Sequence, residues 1–250
     1  ELFTPEDGCV WGSFDYSQQE PRIVVHYAIK LGLPGTTDLK NEFDKEDADF
    51  HQIVADMAKI SRTQAKTINL GLFYGMGKLK LQAELGLDRM GAKKLFDEYH
   101  AKVPFVRQLS QDLIEFASDN RLLFTLHDRF CRFDKFETTD KHWNNETNRF
   151  DPVPLYTEEK AKQAYQAEVT EKYKDDKIPA DYMKHFDRHY VPAFTYKALN
   201  RLIQGGAADM TKKAMVDLYE KGILPQIQIH DELCLSIKDD KQAMEVKETM

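Results

Sequence analysis

The stretch from Gln226 to Ile237, QIQIHDELCLSI, constrains the fold more than any other part of the chain. Two apolar or β-branched runs flank the polar triplet His230-Asp231-Glu232, the pattern of a β-hairpin with the triplet at its tip. In a straight strand Asp231 would share a face with Ile229 and Leu233. A carboxylate on such a face is costly unless the chain turns there or a cation compensates it. A plain polar hairpin turn satisfies the same pattern, so the hairpin is predicted and the cation is left open.

A second apolar run, Cys9 to Phe14, reads as a strand ending at Asp15, and Ser17 to Lys30 as the helix that follows. Ser17 and Glu20 have the S-x-x-E spacing of a capping box. Asp15 is therefore either a loop-entry aspartate or a metal ligand at a sheet edge. Gly32-Leu33-Pro34-Gly35 breaks the pattern. Residues 47–70 read as helix, and so do 90–119 with a break near Pro104. Leu122 to Phe136 reads as a hairpin turning at His127-Asp128. Residues 137–190 are charged, with aromatics scattered among them and prolines at 152, 154 and 179, and read as an insertion. Within it Thr157 to Lys174 is predicted helical. A helix from Pro192 to Lys221 precedes the final strand pair. The alternation says α/β or α+β.

Composition narrows the function classes. Hydrophobic residues make up 42% and charged residues 31%, an ordinary globular mixture, and no run is long enough to cross a bilayer. The first residues carry no basic start with an apolar core, hence no signal peptide is read. Cys9, Cys131 and Cys234 lie far apart and match no zinc spacing, which makes a reducing cytoplasm the default expectation. The net charge of −7 argues against nucleic acid, yet Lys59 to Lys94 holds eight basic residues against Glu84 and Asp88 alone. Within that strip Arg62, Lys66, Leu70 and Tyr74 follow one another along one helical stripe. Two cations a turn apart repel, so their pairing makes sense if a polyanion such as a triphosphate lies along them. The alternative is an exposed basic face with Leu70 and Tyr74 in the core.

Together these blocks resemble the motifs of family A DNA polymerases, in that family's order. D-Y-S-Q-x-E-x-R is matched by residues 15–22, R-x-x-x-K-x-x-N-x-G-x-x-Y-G by 62–75 and V-H-D-E by 229–232. N-x-x-x-Q-G is matched from Asn200 to Gly205, running on to Asp209. The wording around Asp15 is similar to bacteriophage members. The resemblance implies an α+β right-hand palm, a small antiparallel sheet backed by helices, with mainly helical fingers. It implies palm at 1–40 and 191–250, fingers at 41–136 and an insertion of unknown role at 137–190. The thumb and any 3′→5′ exonuclease are expected upstream of residue 1, in a longer enzyme of which this chain is a part.

The same resemblance assigns roles. Asp15, Asp231 and the backbone carbonyl of Tyr16 would hold two Mg²⁺ ions for in-line transfer of a nucleotide to a primer 3′-hydroxyl. Arg62 and Lys66 would bind the incoming deoxynucleoside triphosphate, with Lys66 also protonating the departing pyrophosphate. Glu20 is the expected gate against a 2′-hydroxyl, Tyr74 packs at the nascent base pair, and Leu70 stands where the family has Phe or Tyr beside the sugar. Asn200, Gln204, Gln228 and His230 would contact primer–template DNA, where amides tolerate every sequence in the minor groove. A processivity factor is a further partner left open, and no membrane is involved. Pro21 replaces an aliphatic residue. Tyr196 stands where relatives have a DNA-contacting arginine, with Lys197 as a substitute. The rival readings are a phage-type single-subunit RNA polymerase, against which Glu20 and Glu232 speak, a DNA-binding palm inactive in isolation, and a two-metal nuclease.

Overall fold

A computed structural model describes residues 3–36, 40–41, 48–73, 78–147, 149–174 and 176–250. In chain order the elements are β1 (Val10–Asp15), α1 (Gln19–Lys30), α2 (Phe50–Ala58), α3 (Arg62–Phe73), α4 (Lys78–Leu85), α5 (Arg89–Lys102) and α6 (Pro104–Asn120). Five short strands follow, β2 (Leu122–Phe124), β3 (Phe130–Arg132), β4 (Phe136–Thr138), β5 (Trp143–Asn144) and β6 (Arg149–Phe150). Then come α7 (Glu158–Lys172), α8 (Phe186–His189), β7 (Tyr190–Pro192), α9 (Ala198–Glu220), β8 (Ile227–Ile229), β9 (Glu232–Ile237) and α10 (Asp240–Thr249). The residues divide into two compact units, Glu1–Gln111 with Phe124–Arg129 and Leu199–Met250, and Asp112–Leu123 with Phe130–Ala198.

The first unit is organised by a three-stranded antiparallel sheet in the order β1-β9-β8. Alternation along β9 sends Leu233, Leu235 and Ile237 to one face, where they pack with Ala214 and Leu218 of α9 and Val246 of α10. Gly12 belongs to this packing, because a Cβ there would lie 2.6 Å from Ile237 Cγ1 and 2.8 Å from Phe14 Cε2. The opposite face carries Ser13 and Asp15 of β1 in register with Cys234 and Glu232 of β9. Helices α2 to α5 form a further layer of the unit, with buried Phe50, Ile68, Phe73 and Tyr99 at its centre.

The second unit has its own core of Phe136, Ala161, Tyr165, Val169, Phe186 and Tyr190. Here α7 is capped by Thr157, whose hydroxyl accepts from Lys160 N. The pair β4-β7 closes the unit, with Tyr190 donating to Glu168 at 2.6 Å.

Three expectations are corrected. The capping box of Ser17 and Glu20 does not form: Gln18 is the N-cap in the left-handed region (φ 55°), and no side chain caps the helix. Its amide is used elsewhere, donating to Ala48 O at 3.2 Å and accepting from Phe50 N at 2.8 Å. The helix read over 47–70 is two helices, because Lys59 turns left-handed (φ 56°) and ends α2. Ser61 and Gln64 then form a capping box for α3, each side chain bonding the other residue's backbone N–H. The helix expected from Pro192 starts at Ala198, after a left-handed Phe194 and a short 3₁₀ turn.

Candidate active site

The turn between β8 and β9 is as tight as an antiparallel pair allows. Ile229 pairs with Glu232, which leaves only His230 and Asp231 to make the bend. His230 takes a positive φ of 55°, a conformation that costs a non-glycine residue about 1–3 kcal/mol and clusters at functional positions. The turn lifts Asp231 off the apolar face that a straight strand would have given it.

Register then brings the two aspartates to one end of the sheet. Asp15 ends β1 directly opposite Glu232, and Tyr16 N–H donates to Asp231 O at 3.4 Å. Burial raises the Asp15 carboxyl above its ordinary value, and the neighbouring charges of Asp231 and Glu232 raise it further. Glu232 is engaged differently. It accepts from Ser13 Oγ and from Cys234 Sγ, bonds that hold its carboxyl below the ordinary value against burial. Among the described residues no group of three or more His, Cys, Asp and Glu side chains converges as a metal site. Two carboxylates with backbone carbonyl oxygen fit a hard divalent cation that keeps several waters and takes further oxygens from substrate phosphate. The mutual repulsion at Asp15 is the charge such a cation would neutralise.

Asp231 lines a cavity of about 590 Å³, and Asp15 lies outside that lining. Of the residues singled out in the sequence, Glu20, Lys66, Leu70, Gln204, Gln228, His230 and Asp231 line it. Arg62 does not. Its guanidinium is held by Asp49 at 2.8 Å from Nε and 2.7 Å from an Nη, one turn of α3 from Lys66. Asp49 also caps α2, accepting from His51 N at 2.9 Å and Gln52 N at 3.1 Å. Burial opposes ionisation of Asp49, but these bonds and the Arg62 charge outweigh it and the carboxyl lies below its ordinary value. Asn200 stands one turn before Gln204 on α9 and is half-buried, outside the cavity lining. Tyr74 lies outside the described residues. Lys197 rests its ammonium over the rings of Phe194 and Tyr196, at 5.0 and 5.6 Å.

The structure adds residues that sequence reasoning passed over. His51 lines the cavity and is buried, its Nδ1 3.1 Å from Asn69 Nδ2, and Asn69 Oδ1 accepts from Tyr99 OH. The available signal was Asp49, a cap residue two before a histidine. Asp209 of α9 accepts from Thr125 Oγ1 and from Arg129 Nε at 2.7 Å, while Arg129 also donates to Gly205 O at 3.0 Å. That cluster fixes the stretch of α9 bearing Gln204. Gln19 ties α1 to the same helix, donating to Thr211 Oγ1 at 3.4 Å.

Comparison with known proteins places these observations in context. A family model described as DNA polymerase family A matches residues 1–150 and 144–250. A DNA-directed DNA polymerase of Pseudomonas phage M6 is 31% identical over 291 residues, an alignment covering 100% of this chain and 36% of the phage protein. A DNA polymerase of Mycobacterium phage L5 is 26% identical over 237 residues, covering 94% of this chain and 29% of that protein. Among solved structures, the POL domain of Pol1 from M. smegmatis, in complex with DNA primer-template and dNTP, superposes with a TM-score of 0.63 at 22% identity. That match covers 99% of this chain and 37% of the other. The chain thus spans 36% and 23% of the length of two of these curated relatives, the M6 polymerase and a DNA polymerase I of Caldicellulosiruptor bescii. No helix among the described residues is long and apolar enough to cross a membrane.

Proposed function

Because this chain belongs to DNA polymerase family A, we propose that it carries the nucleotidyl-transfer centre of a template-directed DNA polymerase, with residues 1–40 and 191–250 as palm, 41–136 as fingers and 137–190 as an insertion. One observation supports this most directly. The register of β1 against β9 sets Asp15 opposite Glu232, next to the turn that carries Asp231, and Asp231 lines a cavity that also receives Lys66, Glu20 and Leu70.

Family A polymerases generally use divalent metal ions, and here two Mg²⁺ held by Asp15, Asp231 and the Tyr16 carbonyl would supply Lewis-acid activation of a 3′-hydroxyl and of the leaving pyrophosphate. The residues of the chain do the remaining work. Lys66 in the cavity meets the triphosphate as a point charge and is the group able to hand a proton to pyrophosphate. Arg62 gives a planar fork for phosphate oxygens, which it presents by exchanging or sharing Asp49. Glu20 occupies the cavity wall with Leu70, so a 2′-hydroxyl would meet a carboxylate there, and deoxynucleotides are the preferred substrate. Leu70 offers an apolar contact without a ring. Gln204, Gln228 and His230 are exposed where α9 and the β8–β9 turn meet the cavity, suited to the minor groove of a primer–template duplex, and Asn200 continues that row.

The test is primer extension with the four deoxynucleotides and Mg²⁺. Asp15→Ala and Asp231→Ala should each abolish addition while far-UV circular dichroism stays unchanged. Normal extension by either variant would overturn the assignment. Glu20→Ala should raise ribonucleotide incorporation relative to deoxynucleotide, which separates this reading from an RNA polymerase.

A further inference from the structure

His51 enters the cavity from α2 with one ring edge turned inward to a buried polar chain. Asn69 and Tyr99 are fully buried, and His51 is 6% exposed. The Asn69 amide sets the direction of the hydrogen bonds along this chain. Its Oδ1 accepts from the Tyr99 hydroxyl, and its NH₂ faces His51 Nδ1, 3.1 Å away. A nitrogen facing a donor must offer its lone pair. The ring proton therefore sits on Nε2, at the edge away from Asn69.

We infer that Asn69 and Tyr99 are positioning residues that hold His51 as the neutral Nε2–H tautomer, so that it meets a bound nucleotide as an uncharged hydrogen-bond donor. Protonating Nδ1 would set two donors against each other in a buried place. The surroundings act in the same direction. Burial lowers the affinity of His51 for a second proton, Asp49 opposes this, and Arg62 and Lys66 of α3 lower it further. From the sheet side Glu20, His230 and Asp231 line the same cavity, and from α5 the facing group is the Tyr99 phenol, which burial keeps protonated. The chemical consequence is a division of labour. Lys66 and Arg62 bring the cationic groups to the triphosphate, and His51 contributes direction without charge, so nucleotide affinity does not titrate with this imidazole near neutrality.

The inference rests on reading the cavity as the nucleotide site, and its test keeps the two apart. Long-range ¹H–¹⁵N spectra of the full chain, without nucleotide, should give His51 the Nε2–H pattern at pH 7 to 8. Asn69→Asp replaces the facing donor with an acceptor and should raise the protonated fraction of His51 at pH 7 about tenfold or more. Tyr99→Phe removes the hydroxyl that orients the amide and should leave a mixture of tautomers in a folded chain. A charged or Nδ1–H His51 in the unsubstituted chain, or an Nε2–H pattern unmoved in both variants, would overturn the inference. In primer extension, kcat/KM for deoxynucleotide should lack a His51 titration between pH 7 and 8 and acquire one in Asn69→Asp. Correct spectra with no effect of nucleotide on the His51 signals would instead count against the cavity as the nucleotide site.

Discussion

Gly205 follows Gln204 on α9, and replacing it with alanine gives a sharp test of how that helix is held. In an open helix the change would stabilise by about 1 kcal/mol, since glycine is the poorer helix former. Here the new Cβ would lie 2.8 Å from Thr125 Cγ2 and 3.1 Å from an Arg129 Nη. Neither neighbour yields freely. Thr125 donates to Asp209, and Arg129 bonds both Asp209 and Gly205 O. Turning the methyl aside breaks a hydrogen bond to a buried carboxylate, about 1.5–3 kcal/mol, and overpacking without that escape costs about 1–3 kcal/mol. The net expectation is destabilisation by up to about 2 kcal/mol, read as a lower urea midpoint by circular dichroism. Gly206 is the internal control, because its Cβ would meet nothing closer than 3.5 Å, and Gly206→Ala should be neutral or stabilising. Thr125→Ser removes the offending methyl and keeps the hydroxyl, so it should restore most of the loss in Gly205→Ala. If Gly205→Ala stabilised the chain as Gly206→Ala does, or if Thr125→Ser made no difference to it, the account of this contact would be wrong.

Two further outcomes follow from the ion pairs. Burial raises the Asp209 carboxyl, but the bonds from Thr125 and Arg129 and the charges of Arg129 and His127 win, so its folded value lies below the ordinary one. A depressed carboxyl stabilises fully above its unfolded value of about 3.9, and that stabilisation disappears as pH falls through the folded value. Stability measured from pH 6 to 2 should therefore fall less steeply in Asp209→Asn, and an identical slope would refute the assignment. Asp49→Ala removes the α2 cap and the Arg62 partner together, costing about 1–2 kcal/mol in thermal unfolding, whereas Asp49→Asn should recover most of it because the cap contributes more than a half-exposed ion pair. Equal losses in both would show that the charge dominates.

Much of the fold was legible because apolar alternation and helical periodicity carry it. The strand ending at Asp15, the hairpin with its tip in His230-Asp231-Glu232, the break near Pro104 and the helix begun near Thr157 all follow from local chemistry, although Glu232 already belongs to β9. Some of the misreadings come from a residue serving a distant partner, others from local signals that the apolar pattern overrides. Gln18 displaces the expected cap because its amide answers Ala48 and Phe50, backbone groups about thirty positions away. The break at Lys59 was hidden because apolar residues continue through it, although Ser61 and Gln64 advertised a new helix start. The His51–Asn69–Tyr99 chain joins residues 18 and 30 positions apart, and no spacing rule connects them. The final helix was missed despite Asp239 and Gln242, which cap it.

The grip of Gln18 on the segment entering α2 makes one mechanical unit of two parts of the site. The start of the helix bearing His51 is tied by two hydrogen bonds of the Gln18 side-chain amide to a point three residues from Asp15. Geometry at the acids and geometry at the helix bearing His51 are therefore coupled through Gln18.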